Sequence, residues 1–484
     1  MKVLVGYPPT ESEKGTALLS QNRQFQWFTN PTYLFPIIPA SAATLLKEKG
    51  FDVIWKDSIV EKMSEGEFIE FIERERPDVF AFETKTPVVI QHWKFADKLK
   101  RIFPFLKIVI MGDHVTAFPK ESLEESNVDF VITGGDYDFS LFELCNFLEK
   151  GGKMPKGIYY RKGKAIKNSG KFILNHSLDS LPFIDRELTK GNLYQIEYNL
   201  KYKPYAYLVS SRDCWYGKCK FCAWPQLFPK YRTRSVNNVL DEIKILIEKY
   251  KVKEIFNDAG TQPVGKWLDD FCSKMMEKGY NKKIKYSCNM RFGALNQENY
   301  NMMKKAGFRL LKFGLESANQ ATLDRLSKGI KVKDIIDGCK MAKNAGLTVH
   351  LTMIMGYPWE TKQDALNTLK LAKWLMLKGY ADVLQATVLV PYPGTALWKE
   401  AKNSKWFRFP PYDYERYDMT EPVLKTKFPS DDVMKICDSI YTKIFFSPIY
   451  IARRFVEIRS LSDVKFILNG VKAVFGHIKD FARK

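Results

Sequence analysis

The chain has 484 residues, about three times the ~150 residues of a typical domain, so two or three domains are expected. Hydrophobic residues make up 45% and charged residues 27%. This is a globular balance with material for large cores, and no run reaches the ~18–20 apolar residues of a membrane span. Lys+Arg total 76 against 55 Asp+Glu, a net charge of +21. Such an excess favours anionic partners (nucleic acid, acidic phospholipid or phosphate-bearing small molecules), or it reflects a lysine-rich proteome.

Met1 to Pro8 read as a short strand, without the basic and long apolar segments of a signal peptide. A cytoplasmic, reducing setting is expected, where clustered cysteines more often bind metal or catalyse than form disulfides. Within residues 1–150, "KVLVGYP", "DVIWKDS", "DVFAFETK", "KIVIMGD" and "DFVITGG" alternate with amphipathic stretches. Five strands alternating with helices predict an open, parallel, flavodoxin-like sheet. A ligand of such a sheet lies over the carboxyl ends of the strands. Those ends carry Thr84 and Thr86, Gly112 and His114, and Gly134 and Gly135, where glycine lets backbone approach a ligand. Residues 151–200 read as a connector with a hairpin around Lys162-Gly163. From 201 to 400, six further strand–helix units predict a partial (β/α)6 TIM-like barrel, with its chemistry at the carboxyl ends of its strands. Residues 401–484 begin with an aromatic stretch, "WFRFPPYDYERYDM" (406–419), which could cover the barrel mouth, and are then mainly helical.

"DCWYGKCKFCAW" (213–224) directly follows the first barrel strand and carries Cys214, Cys219 and Cys222, with gaps of four and two residues. A structural zinc site takes four N/S ligands, yet the nearest other candidates, His176 and Cys272, are tens of residues away. Ordinary electron-transfer clusters take four cysteines, so three thiols with no local fourth suit a [4Fe–4S] cluster whose open iron binds something else. Cys145, Cys272, Cys288, Cys339 and Cys437 are isolated and read as buried small apolar side chains.

On these residues the chain resembles the radical S-adenosylmethionine (SAM) superfamily. The resemblance implies that the three thiols hold the cluster and that SAM chelates its unique iron. An electron from an external flavodoxin- or ferredoxin-type donor then cleaves SAM to a 5′-deoxyadenosyl radical. Phe221 matches the aromatic common between the last two cysteines. The usual first gap is three residues; here it is Trp215, Tyr216, Gly217 and Lys218, with Gly217 suited to absorb the turn. "FGLESANQATLDRLSKGI" (313–330) resembles the fourth-strand motif, which implies SAM contacts from Glu316 and Ser317. "MIMGYPWET" (353–361) resembles the turn near the adenine, implying Gly356 and Pro358. Asp258 lies where the family places residues around the methionine amino group, and Arg291 is a candidate partner for the SAM carboxylate. Each polar member of this set is equally explained as a capping or ion-pairing residue of a barrel.

A flavodoxin-like domain before such a barrel resembles the cobalamin-binding class. "GDHVTAFPKESLEESNVDFVITGGDYDFSLFEL" (112–144) keeps parts of that class's pattern, while Asp113 and "GGDYD" depart from it. The Asp-x-His-x-x-Gly fingerprint that ligates cobalt is absent. The resemblance implies cobalamin held without a histidine ligand by Thr84, Thr86, Gly112, Gly134 and Gly135, with His114 as a turn or propionamide contact. The alternative is a domain that has lost the cofactor.

From Val464 to Phe481, apolar residues recur at i, i+3, i+4, i+7, an amphipathic helix. Residues 449–484 hold eight Arg/Lys against three acids. Such a helix lies on an anionic membrane surface or packs its apolar face on the barrel. No nucleic-acid-binding module is recognised. The expected function is a cobalamin-dependent radical SAM methyltransferase acting on an unactivated carbon of a small-molecule or lipid substrate. The alternatives are a radical cyclase, oxidase or carbon–carbon coupling enzyme, and a non-catalytic cluster scaffold.

Overall fold

The computed structural model describes residues 1–19, 25–196, 199–456, 458, 460 and 463–472. Its first sheet contains β1 (Lys2–Tyr7), while β2 (Thr16–Leu18) and β3 (Gln26–Phe28) form a separate antiparallel hairpin. The sheet continues with β4 (Asp52–Asp57), β5 (Val79–Glu83), β6 (Lys107–Met111) and β7 (Phe130–Ile132). These five strands pair in parallel in the order β4-β1-β5-β6-β7, the flavodoxin-like order. Every residue of β5 is buried, as expected of a parallel strand covered by helices on both faces. The connector hairpin, β8 (Ile158–Lys162) and β9 (Ala165–Asn168), turns at Gly163. It pairs antiparallel with β7 and so lengthens the first sheet. The sequence assigns it to a connector because a hairpin's partner strand is not encoded locally.

The second sheet is all-parallel, with order β10-β13-β14-β15-β16-β17. It is built from β10 (Tyr205–Leu208), β13 (Glu254–Asn257), β14 (Lys285–Met290), β15 (Phe308–Glu316), β16 (Thr348–Met355) and β17 (Val383–Val388). Among the described residues no pairing joins β10 to β17, so the barrel is partial. The helices Val236–Glu248, Lys266–Glu277, Gln297–Lys305, Val332–Asn344 and Lys362–Leu377 return the chain between strands, and one apolar core lies between them and the sheet. Two further cores fuse the domains. One joins the first sheet to Tyr205, Tyr207 and Leu310 of the barrel. The other joins it to Tyr357, Leu389 and the aromatic stretch, burying Phe407, Phe409, Tyr414 and Tyr417. The aromatic stretch therefore fills the junction between domains, and its Met419 reaches the cavity described below.

β11 (Ser211–Arg212) and β12 (Arg232–Thr233) pair antiparallel and close the base of the cysteine loop. Asp136 and Asp138, in the "GGDYD" turn of the first domain, lock this base. Arg212 donates to Asp136 at 3.0 Å and to both oxygens of Asp138 at 2.9 and 2.5 Å. Arg232 donates twice to Asp136 at 2.7 Å. Burial works against the charges, but the mutual attraction outweighs it, holding Asp136 below the usual carboxylate range and raising Arg212.

The helices Ser430–Ile440 and Pro448–Val456 follow, and residues 463–472 are helical. The remainder of the amphipathic pattern, including Val474, Phe475, Ile478 and Phe481, lies outside the described residues. Within 463–472 the apolar residues Val464, Leu468 and Val471 are exposed, so they do not pack on the barrel. Among the described residues no helix is long and apolar enough to cross a membrane.

Removing one member of a buried ion network leaves the others uncompensated, at a cost of roughly 3–5 kcal/mol. Arg212→Met should therefore lower the stability of the cluster-free chain by about that amount in denaturant titration. An unchanged midpoint would show that the network does not hold the domains together.

Candidate functional site

A cavity of about 300 Å³, within the size range of ligand pockets, is walled by the cysteine loop, the barrel strands and the first domain's hairpin. Cys214, Cys219 and Cys222 all line it, and among the described residues its wall contains no other cysteine and no histidine. The other five cysteines are buried away from it. Among the described residues no three Cys, His, Asp or Glu side chains gather closely enough for a single metal ion; the three thiols instead share one wall. Burial pushes each thiol up, Cys222 most. They stay protonated until a metal displaces the proton.

Three of the four residues between Cys214 and Cys219 make specific contacts, and Lys218 is exposed. Backbone N–H groups of Gly217 and Tyr216 donate to the Cys214 sulfur. The Trp215 indole donates to the Gln262 carbonyl at 3.2 Å. Gly217 has φ +58°, a left-handed turn that glycine adopts at no steric cost. The Tyr216 hydroxyl donates to the Ser327 carbonyl at 2.8 Å, and the Arg291 guanidinium lies 3.7 Å from the centre of its ring. Arg291 in turn donates to the Gly329 carbonyl at 2.7 Å. Gly329 has φ +63°, and a Cβ there would collide with the Tyr216 hydroxyl.

Beside this platform Lys328 donates to Glu316 at 2.7 Å, with its ammonium 5.8 Å from the Phe221 ring centre. Burial disfavours the ammonium, but Glu316 and the nearby Cys219 more than offset it and raise its pKa. Arg291, Glu316, Lys328 and Phe221 all line the cavity, as do Gly260, Thr261 and Asn289 on the next strand ends. Asp213 accepts a hydrogen bond from the Gly260 amide behind the loop.

The family model of the radical SAM superfamily matches residues 208–372, the span holding the three thiols, Arg291 and Glu316. Residues 208–372 are a radical SAM domain. An uncharacterized methyltransferase of Pyrococcus horikoshii is 27% identical over 453 residues, covering 93% of each chain. Two solved structures share the fold at 14% identity. The radical SAM methyltransferase TsrM from Kitasatospora setae, with cobalamin and a [4Fe–4S] cluster bound, has a TM-score of 0.64 over 85% of this chain and 79% of its own. The cobalamin-dependent radical SAM enzyme OxsB, with aqua-cobalamin and SAM bound, has a TM-score of 0.69 over 99% of this chain and 71% of its own.

A radical SAM domain takes a [4Fe–4S] cluster and SAM, and the donor set fits. Three thiols on one wall would hold the cluster. Arg291 would meet the SAM carboxylate, and Glu316, fixed by Lys328, the ribose hydroxyls. Four other residues expected at SAM do not line the cavity. Ser317 is fully buried and donates to Glu360 at 2.8 Å, in a network with Asn319 and Thr322. Gly356 and Pro358 do not line the cavity; from their strand Thr352 and Ile354 do. Asp258 is buried behind Gly260 and Thr261, which take its expected place on the wall. Lys328 and Tyr216 were not singled out from the sequence. The left-handed pair Ser327 and Gly329 around Lys328 left a Ser-Lys-Gly turn signal, whereas nothing local announces a tyrosine platform.

None of the six residues expected to surround a corrin lines the cavity. Thr84 is buried against His92 at 2.8 Å, and Thr86 against His114 at 3.2 Å. His114 also meets Glu121 at 3.2 Å and packs on Tyr414. A Cβ on Gly112 would strike the Thr84 carbonyl, one on Gly134 the Phe172 ring, and one on Gly135 the Phe228 ring. These turns are filled by protein because the aromatic stretch and the cysteine-loop helix pack onto them. The first domain meets the cavity instead through Leu18, Gln26, Phe28, Thr32 and Leu34.

Tyr216 holds the Arg291 guanidinium in place before a ligand arrives, and ordering such a side chain on binding costs about 0.5–1.5 kcal/mol, so losing the ring should weaken SAM binding by roughly two- to tenfold. Calorimetric titration of SAM into the cluster-loaded protein should show that loss in Tyr216→Ala, with Tyr216→Phe retaining most of the affinity. Equal affinity in both variants would remove the platform role.

Proposed function

We propose that the protein is a cobalamin-dependent radical SAM methyltransferase that methylates an unactivated carbon. The observation that carries the reading is the donor set of the cavity: three thiols and, among the described residues, no other cysteine and no histidine, facing an arginine and a glutamate–lysine pair. The full-length relationship to a methyltransferase and the fold shared with TsrM and OxsB support the methyl-transfer part. Cobalamin is supported by the first-domain wall. Leu18, Phe28 and Leu34, with the neutral amide and hydroxyl of Gln26 and Thr32, suit a flat macrocycle held by apolar contact with no imidazole on the metal.

When bound, these cofactors supply a carbon radical from reductive cleavage of SAM and a transferable methyl group. The chain's own residues bind, orient and shield. Arg291 holds a carboxylate in place because Tyr216 and the Gly329 carbonyl fix its guanidinium from two sides. Lys328 orients Glu316 as a hydrogen-bond acceptor and places a positive charge beside Cys219. That charge offsets the negative charge that three ligating thiolates bring into a buried wall. The hairpin and Met419 line the cavity, where they shield the reacting groups from solutes that would otherwise give up hydrogen to a radical. The electron comes from an external low-potential donor, and the substrate is a small molecule or lipid.

The test is anaerobic reconstitution with iron, sulfide and hydroxocobalamin, then reduction in the presence of SAM labelled in its methyl group. 5′-Deoxyadenosine and label on the extracted cobalamin are expected. Deoxyadenosine with all label left on methionine would refute methyl transfer in favour of cyclase- or oxidase-type radical chemistry. Absence of deoxyadenosine would make the protein a cluster scaffold.

A further inference from the structure

The helix Pro448–Val456 is amphipathic in the wrong sense for a helix that stabilises a core. Its protein-facing side is polar. The Tyr450 hydroxyl donates to the Asp382 carbonyl at 3.1 Å, and Arg453 donates to the Met376 carbonyl and lies 3.9 Å from the Asp382 carboxylate. Its outward side is apolar: Ile449 is 58% exposed, Phe455 68% and Val456 69%. Residues 463–472 repeat the inversion. Asp463 pairs with Lys201, and the Phe466 ring lies under Arg309. Val464, Leu468 and Val471 form an exposed i, i+4, i+7 stripe. Exposed lysines, Lys443, Lys465 and Lys472, flank the two stripes. Asp463 is the only acid among the described residues of 441–472, and it is already paired.

Exposed apolar stripes of this size mark an interaction surface. Lysines beside them extend their apolar stems over the stripe and keep their charges in the polar layer. A second copy of the chain is a poor occupant, because two-fold pairing would bring the two lysine rims together. We infer that the face formed by Pro448–Val456 and residues 463–472 docks on the surface of a bilayer carrying anionic headgroups. The apolar stripes enter the acyl boundary and the lysines meet phosphates. Asp382, Lys201 and Arg309 stand at the amino-terminal ends of the barrel strands or just before them. Docking therefore uses the end of the barrel opposite the cysteine loop, with the Lys472 carbonyl reaching back to accept from the Asn30 side chain.

The test is co-sedimentation of the full chain with vesicles of phosphatidylcholine, with and without phosphatidylglycerol. Wild-type protein should bind the mixed vesicles and much less the neutral ones. Lys465→Glu with Lys472→Glu should reduce binding to mixed vesicles by roughly thirtyfold or more, from two headgroup attractions lost. Phe455→Asp with Leu468→Asp should abolish binding while leaving the thermal unfolding curve unchanged, since both side chains face solvent. Three outcomes would overturn the inference: no binding by the wild type, binding that neither double variant alters, or self-association in light scattering that Phe455→Asp abolishes.

Discussion

Arg212 stands two residues before the first cysteine of the loop, and two carboxylates of a different domain hold its guanidinium. This contact decides where the cysteine loop begins. Arg232, at the other end of the loop, shares the same Asp136, so both ends are fixed to one point in the first domain. A loop carrying three thiols gains little from local secondary structure. Its order comes from a charge network that is affordable in a buried place only because every member is paired. The departure of "GGDYD" from the pattern of cobalamin-binding relatives acquires a physical reason here, because the two aspartates serve the barrel.

A second set of constraints shapes the inner side of the loop. The residue that lengthens the first cysteine gap does not slacken the turn; Gly217 takes up the turn, and Tyr216 becomes a strut between Ser327 and Arg291. The same strut requires glycine at 329, which places Lys328 against Glu316. Loop length, a glycine and an ion pair thus form one mechanical unit. Two cations are brought to a wall where three thiols must ionise to bind iron, which turns the chain's excess of positive charge into a local function.

Both sheets were readable from the sequence because their strands are continuous apolar runs separated by helical periodicity, and each pattern is set locally. The three cysteines were readable because their spacing excludes most alternatives. Arg291, Glu316 and Phe221 line the cavity because they stand at strand ends or inside the cysteine motif, positions that a sequence shows. Ser317, Gly356 and Pro358 do not line the cavity, since motif position does not say which of two neighbouring residues faces inward. The surroundings of the first-domain turns are set from outside the domain. Whether Gly134 and Gly135 face a ligand depends on Phe172 and Phe228, one from the connector and one from the barrel. The outward apolar faces of the last helices were also invisible, because periodicity shows that a helix has two faces but not which one the protein keeps.

The open position that three thiols leave on a cluster, and its occupation by SAM, is tested most directly by electron paramagnetic resonance of the reduced, reconstituted protein. Adding SAM should shift the g values of a [4Fe–4S]⁺ signal, and Cys219→Ala should lack that signal. A cluster signal that is unchanged by SAM, or one that survives in Cys219→Ala, would contradict the assignment.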